Sequence, residues 1–288
     1  MMKITAISDH QCQLGEGPLW DPRDQRLYWV DSLGPVIYWL DFRSNQVDRF
    51  PLPGKTIGSL AVREQGGLVL AMDHGFYEFD VESERVSLIA EPLVGRDGIR
   101  FNDGKVDPFG HFVSGAMNLN FTEGKENCPM FRLTPDHEVI EILDGFQCFN
   151  GPCFSENGEQ IYLTGRGDLT RIEVFDYGVT QVPRNSRVLH KGNPDGATVD
   201  ADGYLWSAQW DEACIVRISP QGEVDARIDI PGQLVSSVMF GGSELDLIFV
   251  TTVGHEELGS SATDKLPGRT LVIKSSGFQG RPEPMFQG

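Results

Sequence analysis

Apolar residues in this chain come in short runs fenced by Gly, Pro, Asn and Asp, and nowhere sustain a helical period of 3.6. Short β-branched and aromatic runs between turn formers read as strands. Three such runs recur as a set. The first is 15–20, 27–30 and 36–40; the second is 60–62, 68–71 and 76–80; the third is 100–110 with its turn, 111–114 and 130–133. The remaining sets are 151–154, 161–164 and 171–176; 197–199, 204–207 and 214–218; and 238–240, 247–250 and 270–273. Residues 3–13 alternate loosely and read as one more strand, expected to complete the last set and so remove an exposed sheet edge. The polar insertion 118–128 is expected to form a loop, where binding specificity is commonly set. The Gly- and Pro-rich tail 277–288 is expected to lie against the surface.

Within each set one step repeats. Glu16 stands five residues before Asp21, Gly58 before Arg63, Asn102 before Asp107, Asn150 before Ser155, Asp195 before Asp200 and Ser236 before Gly241. The six leading positions are 41 to 48 residues apart, which is the period of a four-stranded propeller blade. The pattern therefore predicts an all-β, six-bladed β-propeller of four-stranded antiparallel blades, one domain over residues 1–288. Its 33 glycines and 17 prolines agree with many tight turns and few helices.

A formal net charge of −18 opposes binding to nucleic acid, whose phosphates need a basic face, and would concentrate a divalent cation locally. A solvated acidic surface is the plainer reading of the charge. No run reaches the 18 or more apolar residues of a membrane span, so no membrane partner is expected. Five cysteines without a CxxC pair read as reduced, mostly buried thiols. The start Met1-Met2-Lys3-Ile4 lacks the apolar core of a secretory signal, and a cytoplasmic protein is expected, in which the sequon at Asn120 means nothing. The state is monomer or homodimer.

Equivalent positions in successive blades lie on a ring around the propeller axis, and four of the six hold Glu16, Asn102, Asn150 and Asp195. Asx and Glu residues also cap turns by bonding nearby amides, which explains any one of them. It does not explain four in phase. Carboxylates and amide oxygens converging at a channel are ligands for a hard divalent cation, and such a site supports metal-assisted hydrolysis. Arg100 and Asp103 flank the ring, and a guanidinium there can hold an oxyanion or a polyol hydroxyl. The six histidines show no zinc-binding spacing, although His74 could reach the channel or simply serve a turn.

The runs Gly15-Glu16-Gly17-Pro18-Leu19-Trp20, Arg100-Phe101-Asn102-Asp103-Gly104-Lys105, Asn150-Gly151, Phe175-Asp176-Tyr177 and Pro194-Asp195-Gly196 resemble the motifs of the SMP-30, gluconolactonase and regucalcin family, in order over nearly the whole chain. This resemblance implies one divalent metal ion (Ca, Zn, Mn or Mg) held by Glu16, Asn150 and Asp195. It implies that Arg100 and Asn102 contact a sugar lactone, that Asp103 supports this substrate side, and that Asp195 doubles as the base or water-orienting group. The activity it implies is hydrolysis of an aldonolactone to the aldonate. Two alternatives stay open: a phosphotriesterase of the diisopropylfluorophosphatase type and a non-catalytic calcium-binding propeller. The chain departs from the family's pattern at Met117-Asn118-Leu119-Asn120 and at Gly165-Arg166-Gly167-Asp168, both on the pocket wall, which leaves the substrate open.

Overall fold

The computed structural model describes residues 2–119, 128–165, 170–232, 234–261, 265–274 and 277–288. In chain order the strands are β1 (Ile4–Ala6); β2 (Gly15–Asp21), β3 (Arg26–Asp31), β4 (Val36–Asp41) and β5 (Gln46–Pro51); β6 (Ile57–Val62), β7 (Leu68–Met72), β8 (Gly75–Asp80) and β9 (Arg85–Ala90). Next come β10 (Ile99–Val106), β11 (Phe112–Asn118), β12 (Cys128–Leu133) and β13 (Val139–Phe146), then β14 (Asn150–Phe154), β15 (Gln160–Thr164), β16 (Arg171–Gly178) and β17 (Gln181–Lys191). The last are β18 (Pro194–Val199), β19 (Leu205–Gln209), β20 (Cys214–Ile218) and β21 (Val224–Asp229), followed by β22 (Val235–Gly241), β23 (Leu247–Thr252) and β24 (Thr270–Lys274). They form six four-stranded antiparallel sheets, the blades of a six-bladed β-propeller. Five blades are consecutive meanders. The sixth has the order β1-β24-β23-β22, so the N-terminal strand completes it as expected, with Ile4 opposite Ile273. That strand is shorter than its sequence signal, because Ser8, Asp9 and His10 break the apolar run.

The chain clusters into two compact units, one of residues 1–52 and 193–282 and the other of residues 53–192 and 283–288. The first holds the blades starting at β2, β18 and β22; its core includes Trp206 edge-on to Phe240 at 5.6 Å and Trp20 stacked on Phe249 at 6.1 Å. The second holds the blades starting at β6, β10 and β14, with Phe76 against Phe101 at 4.6 Å and Phe146 stacked on Phe149 at 4.2 Å. Each such fully buried ring adds about 1.5–3 kcal/mol relative to leaving it in water. Burial falls from the innermost to the outermost strand: all of β6 and β22 is buried, whereas β5 and β21 are largely exposed.

The five-residue step has a physical cause at each end. At its start every innermost strand carries a β-bulge, one residue more than the neighbouring strand: Glu16 to Leu19 against Val30 to Tyr28, Phe101 to Gly104 against Ala116 to Ser114, Asn150 to Cys153 against Thr164 to Tyr162, and Pro194 to Ala197 against Gln209 to Ser207. The bulges in the other two blades fall at Gly58 and Ser236. At the far end, in three of the blades, an acid (Asp21, Asp107 or Asp200) closes the turn into the next strand. Asp107 is fully buried and accepts from the amides of Phe109 and His111, both at 2.9 Å, and from the Tyr177 hydroxyl at 2.7 Å. Asp200 accepts from the Tyr204 amide, Trp206 Nε1 and Arg217 Nε at 2.9, 2.9 and 2.7 Å.

The tail is built in more firmly than its composition suggests. In the second unit Phe286 is fully buried, its amide donates to Val62 O at 2.9 Å and its carbonyl accepts from Glu64 N at 2.8 Å, so it pairs with backbone beyond β6. In the first unit Gly280 N donates to Leu245 O at 2.8 Å. All five cysteines are buried thiols outside any disulfide. Of the insertion 118–128, Asn118 ends β11 and Cys128 opens β12; residues 120–127 lie outside the described residues, as do Arg166, Gly167 and Asp168. No helix among the described residues is long and apolar enough to cross a membrane.

Candidate functional site

A bulge adds local twist and re-aims the side chains at its position, which is why bulges gather beside active sites. Glu16 opens the bulge of β2, is partly buried, and its Oε2 accepts from Gly17 N at 3.3 Å. Asp195 lies in the bulge of β18, with 4% of its surface exposed. Both belong to the first unit. Asn102 and Asn150 belong to the second, on the adjacent inner strands β10 and β14. The residues after Glu16 and Asn150 are Gly17 and Gly151, with φ of 53° and 56°, left-handed values that glycine adopts without strain.

In the second unit three of the expected site residues, Arg100, Asn102 and Asn150, form one hydrogen-bonded group, and a fourth, Asp103, bonds backbone amides beside it. Buried Arg100 donates through one terminal nitrogen to Phe101 O at 2.7 Å and to Asn102 Oδ1 at 3.1 Å. Asn102 Nδ2 in turn donates to Asn150 Oδ1 at 2.5 Å and Phe149 O at 2.9 Å, with Cys148 Sγ at 3.3 Å. A cation bound to the Asn102 carbonyl polarises its amide and strengthens the donation to Asn150. An amide oxygen has two lone pairs, so Asn150 Oδ1 retains one for a further partner. Asp103 Oδ1 and Oδ2 accept from the amides of Gly104 at 2.7 Å and Gly151 at 2.9 Å, so this carboxylate fastens the bulge that presents Asn150. Burial raises the Asp103 carboxyl above its ordinary value, against the lowering effect of Lys105 and of the two amides.

Taken by chemistry alone, the expected ligands are of the types a hard cation takes: the first unit offers the carboxylates of Glu16 and Asp195, and the second the amide oxygen of Asn150. Among the described residues no three His, Cys, Asp or Glu side chains are grouped to hold a metal ion, and this set has only two acidic members. His74 is exposed in the turn between β7 and β8.

Three supports escaped the sequence reading. Asp31 accepts from the amides of Gln13 and Leu14 at 2.9 and 3.1 Å, just ahead of Glu16. Asp73 accepts from Thr56 N and Thr56 Oγ1 at 2.8 and 2.9 Å, just ahead of Gly58, and its own carbonyl accepts from Phe101 N. Gln209 Oε1 accepts from Asn193 N at 3.0 Å, ahead of Asp195. The signal was present: a polar residue ending the second strand or directly following it, fourteen or fifteen positions after the in-phase one.

Residues 14–254 match the family described as SMP-30/Gluconolactonase/LRE-like region, and the chain belongs to that family. Similar curated proteins include a pentonolactonase of Haloferax volcanii, 32% identical over 90% of this chain and 88% of the relative, and a 6-deoxy-6-sulfogluconolactonase of Pseudomonas putida, 30% identical over 96% and 95%. Among solved structures, a luciferin-regenerating enzyme superposes with a TM-score of 0.92 at 23% identity over the whole of both chains. A calcium-binding regucalcin of Agrobacterium tumefaciens gives 0.88 at 23% identity, covering 98% of this chain and 97% of that one. At such identities these two likenesses speak for the fold.

Proposed function

We propose that this protein is a divalent-metal-dependent lactonase that opens a sugar-acid lactone, an aldonolactone such as gluconolactone, to the aldonate. The substrate class is supported by the two lactonases that are 30% or more identical over nearly their full length. The observation that carries the assignment to residues is the shared bulge at Glu16, Asn102, Asn150 and Asp195, which turns a repeat in the sequence into a repeat in backbone geometry.

Glu16, Asn150 and Asp195 are assigned as the metal ligands. A divalent cation held there supplies Lewis-acid polarisation of the lactone carbonyl. Asp195 is assigned to orient the attacking water and take its proton, a role for which its burial suits it, since few bulk waters compete for the carboxylate. The hydroxyl joins the carbonyl carbon, the bond from that carbon to the ring oxygen breaks, and the proton passes to the departing oxygen. Arg100 is assigned to the negative charge that develops on the carbonyl oxygen. Asn102 lies between Arg100 and Asn150 and sets the direction of both, and Asp103 holds the Asn150 bulge through Gly151.

The test is a panel of five- and six-membered aldonolactones, assayed after chelation and after return of calcium, magnesium, manganese or zinc. The wild type is expected to lose turnover on chelation and regain it with metal, while Glu16→Gln and Asp195→Asn stay inactive yet folded. Activity retained in both variants sinks the assignment. Turnover of an organophosphate but of no lactone would point to a phosphotriesterase, and cation binding without any turnover to a non-catalytic propeller.

A further inference from the structure

A cavity lies within the first unit, and none of the bulge residues lines it. It encloses about 480 Å³ between the sheet face of β1, β24 and β23 and the end of β4. Pockets of roughly 300–1,000 Å³ suit small organic ligands. Its floor is apolar, made by Val272, Leu247 and Phe249, and Phe42 forms the opposite wall with 38% of its surface exposed. Its mouth holds Lys3 and Lys274.

These lysines oppose one another. The register sets Ile4 against Ile273, so one residue further on Lys3 faces Lys274 across adjacent strands. Directly opposite side chains have Cβ atoms about 4.5–5.5 Å apart, and like charges there are destabilising. Among the described residues neither lysine has a carboxylate partner, and no acidic residue lines the cavity. In a chain of net charge −18, two adjacent unneutralised cations above an apolar floor form a local exception whose complement is an anion with an apolar body.

We propose that this cavity binds an amphiphilic organic carboxylate, with its head on Lys3 and Lys274 and its apolar body along Val272, Phe249 and Phe42. A head without a body would leave the floor wet, and a body without a head would leave the lysine pair repelling. The site is independent of the lactonase reading, since it shares no residue with it.

Octanoate is the probe, with octanol and acetate as controls that lack the charge and the body. Trp20 stacks on Phe249 at 6.1 Å and meets Phe42 edge-on at 5.2 Å, so its emission reports occupancy, and Trp20→Phe removes that signal. Octanoate is expected to bind at least about tenfold more tightly than either control, and the Lys3→Gln/Lys274→Gln variant to lose about tenfold in octanoate affinity while binding octanol as before. The variant is expected to melt no lower than the wild type, because it removes a repulsion from the surface; calorimetric titration then separates lost binding from lost fold. Equal affinity for octanoate and octanol, unchanged octanoate affinity in the variant, or no octanoate binding at millimolar concentration would each overturn the proposal.

Discussion

Gly58 is the plainest of the six in-phase positions, yet the packing around it leaves no room for a side chain. A Cβ built there presses on the carbonyl oxygen of Asn102 and sits 2.7 and 2.8 Å from the carbonyl carbons of Phe101 and Asn102, whereas ordinary contact begins at 3.4 Å. All three atoms are backbone, so no side chain can swing aside, and β10 itself must move by more than half an ångström. Overpacking of this kind costs about 1–3 kcal/mol. β10 also carries Arg100 and Asn102, and a misplacement approaching 1 Å at a reacting centre can lower turnover by about 100-fold. Gly58→Ala is therefore expected to lose about 1–3 kcal/mol in urea unfolding and on the order of 10- to 100-fold in kcat for lactone hydrolysis. Gly178→Ala is the control, since the nearest atom to its added Cβ is 3.7 Å away on Gln181. It should leave both quantities within error. Wild-type stability and kcat in Gly58→Ala would refute the close stacking of β6 on β10 and its part in setting the site.

Asp103→Asn leaves one acceptor oxygen for two amides, so Gly104 or Gly151 loses its charged partner; the expected cost is about 1.5–3 kcal/mol, with a fall in kcat that Asp103→Glu does not fully restore. Urea midpoints and steady-state kinetics check both. Phe286→Ala empties a fully buried ring site and is expected to cost about 3–5 kcal/mol by the same denaturation, whereas a tail lying on the surface would cost almost nothing. Burial raises the Cys214 thiol from an ordinary 9.0 to about 11. A folded-state pKa above the unfolded value means that its contribution is complete below pH 9.0 and is lost as pH rises through about 11. Cys214→Ala should flatten the decline of stability over that window; an unchanged slope would show that other groups govern it.

The blades were legible because three strands of each are apolar on a short repeat. The outermost strands were not. In β5, Gln46–Pro51, only Val47 and Phe50 are even partly buried, and β17, Gln181–Lys191, carries Pro183, Arg184 and Asn185, which an edge strand tolerates but a central one does not. The in-phase positions were legible for a related reason: the chain repeats the bulge in all six blades and follows it, in three of them, with a turn acid five residues on, so a count of residues finds both without knowing that either is a bulge or a cap. Hydrogen bonding within the site was not legible. Asn102, read as a substrate contact, has its oxygen bonded to Arg100 and its nitrogen to Asn150 and Phe149, an arrangement set by the twist of two bulges. The tail misled because Gly and Pro mark irregular chain but say nothing of whether one aromatic in it, Phe286, finds a pocket.

Cation stoichiometry is the most direct measurement of the assigned ligand set. Chelated wild type, Glu16→Gln, Asn150→Ala and Asp195→Asn should be dialysed to equilibrium against calcium, magnesium, manganese or zinc at matched free concentrations, and the bound metal counted by elemental analysis. One tightly held cation per wild-type chain, lost or weakened by an order of magnitude or more in every variant, is the expected result. A full cation retained by all three variants, or none in the wild type with any of the four metals, would contradict the assignment of Glu16, Asn150 and Asp195 to a common ion.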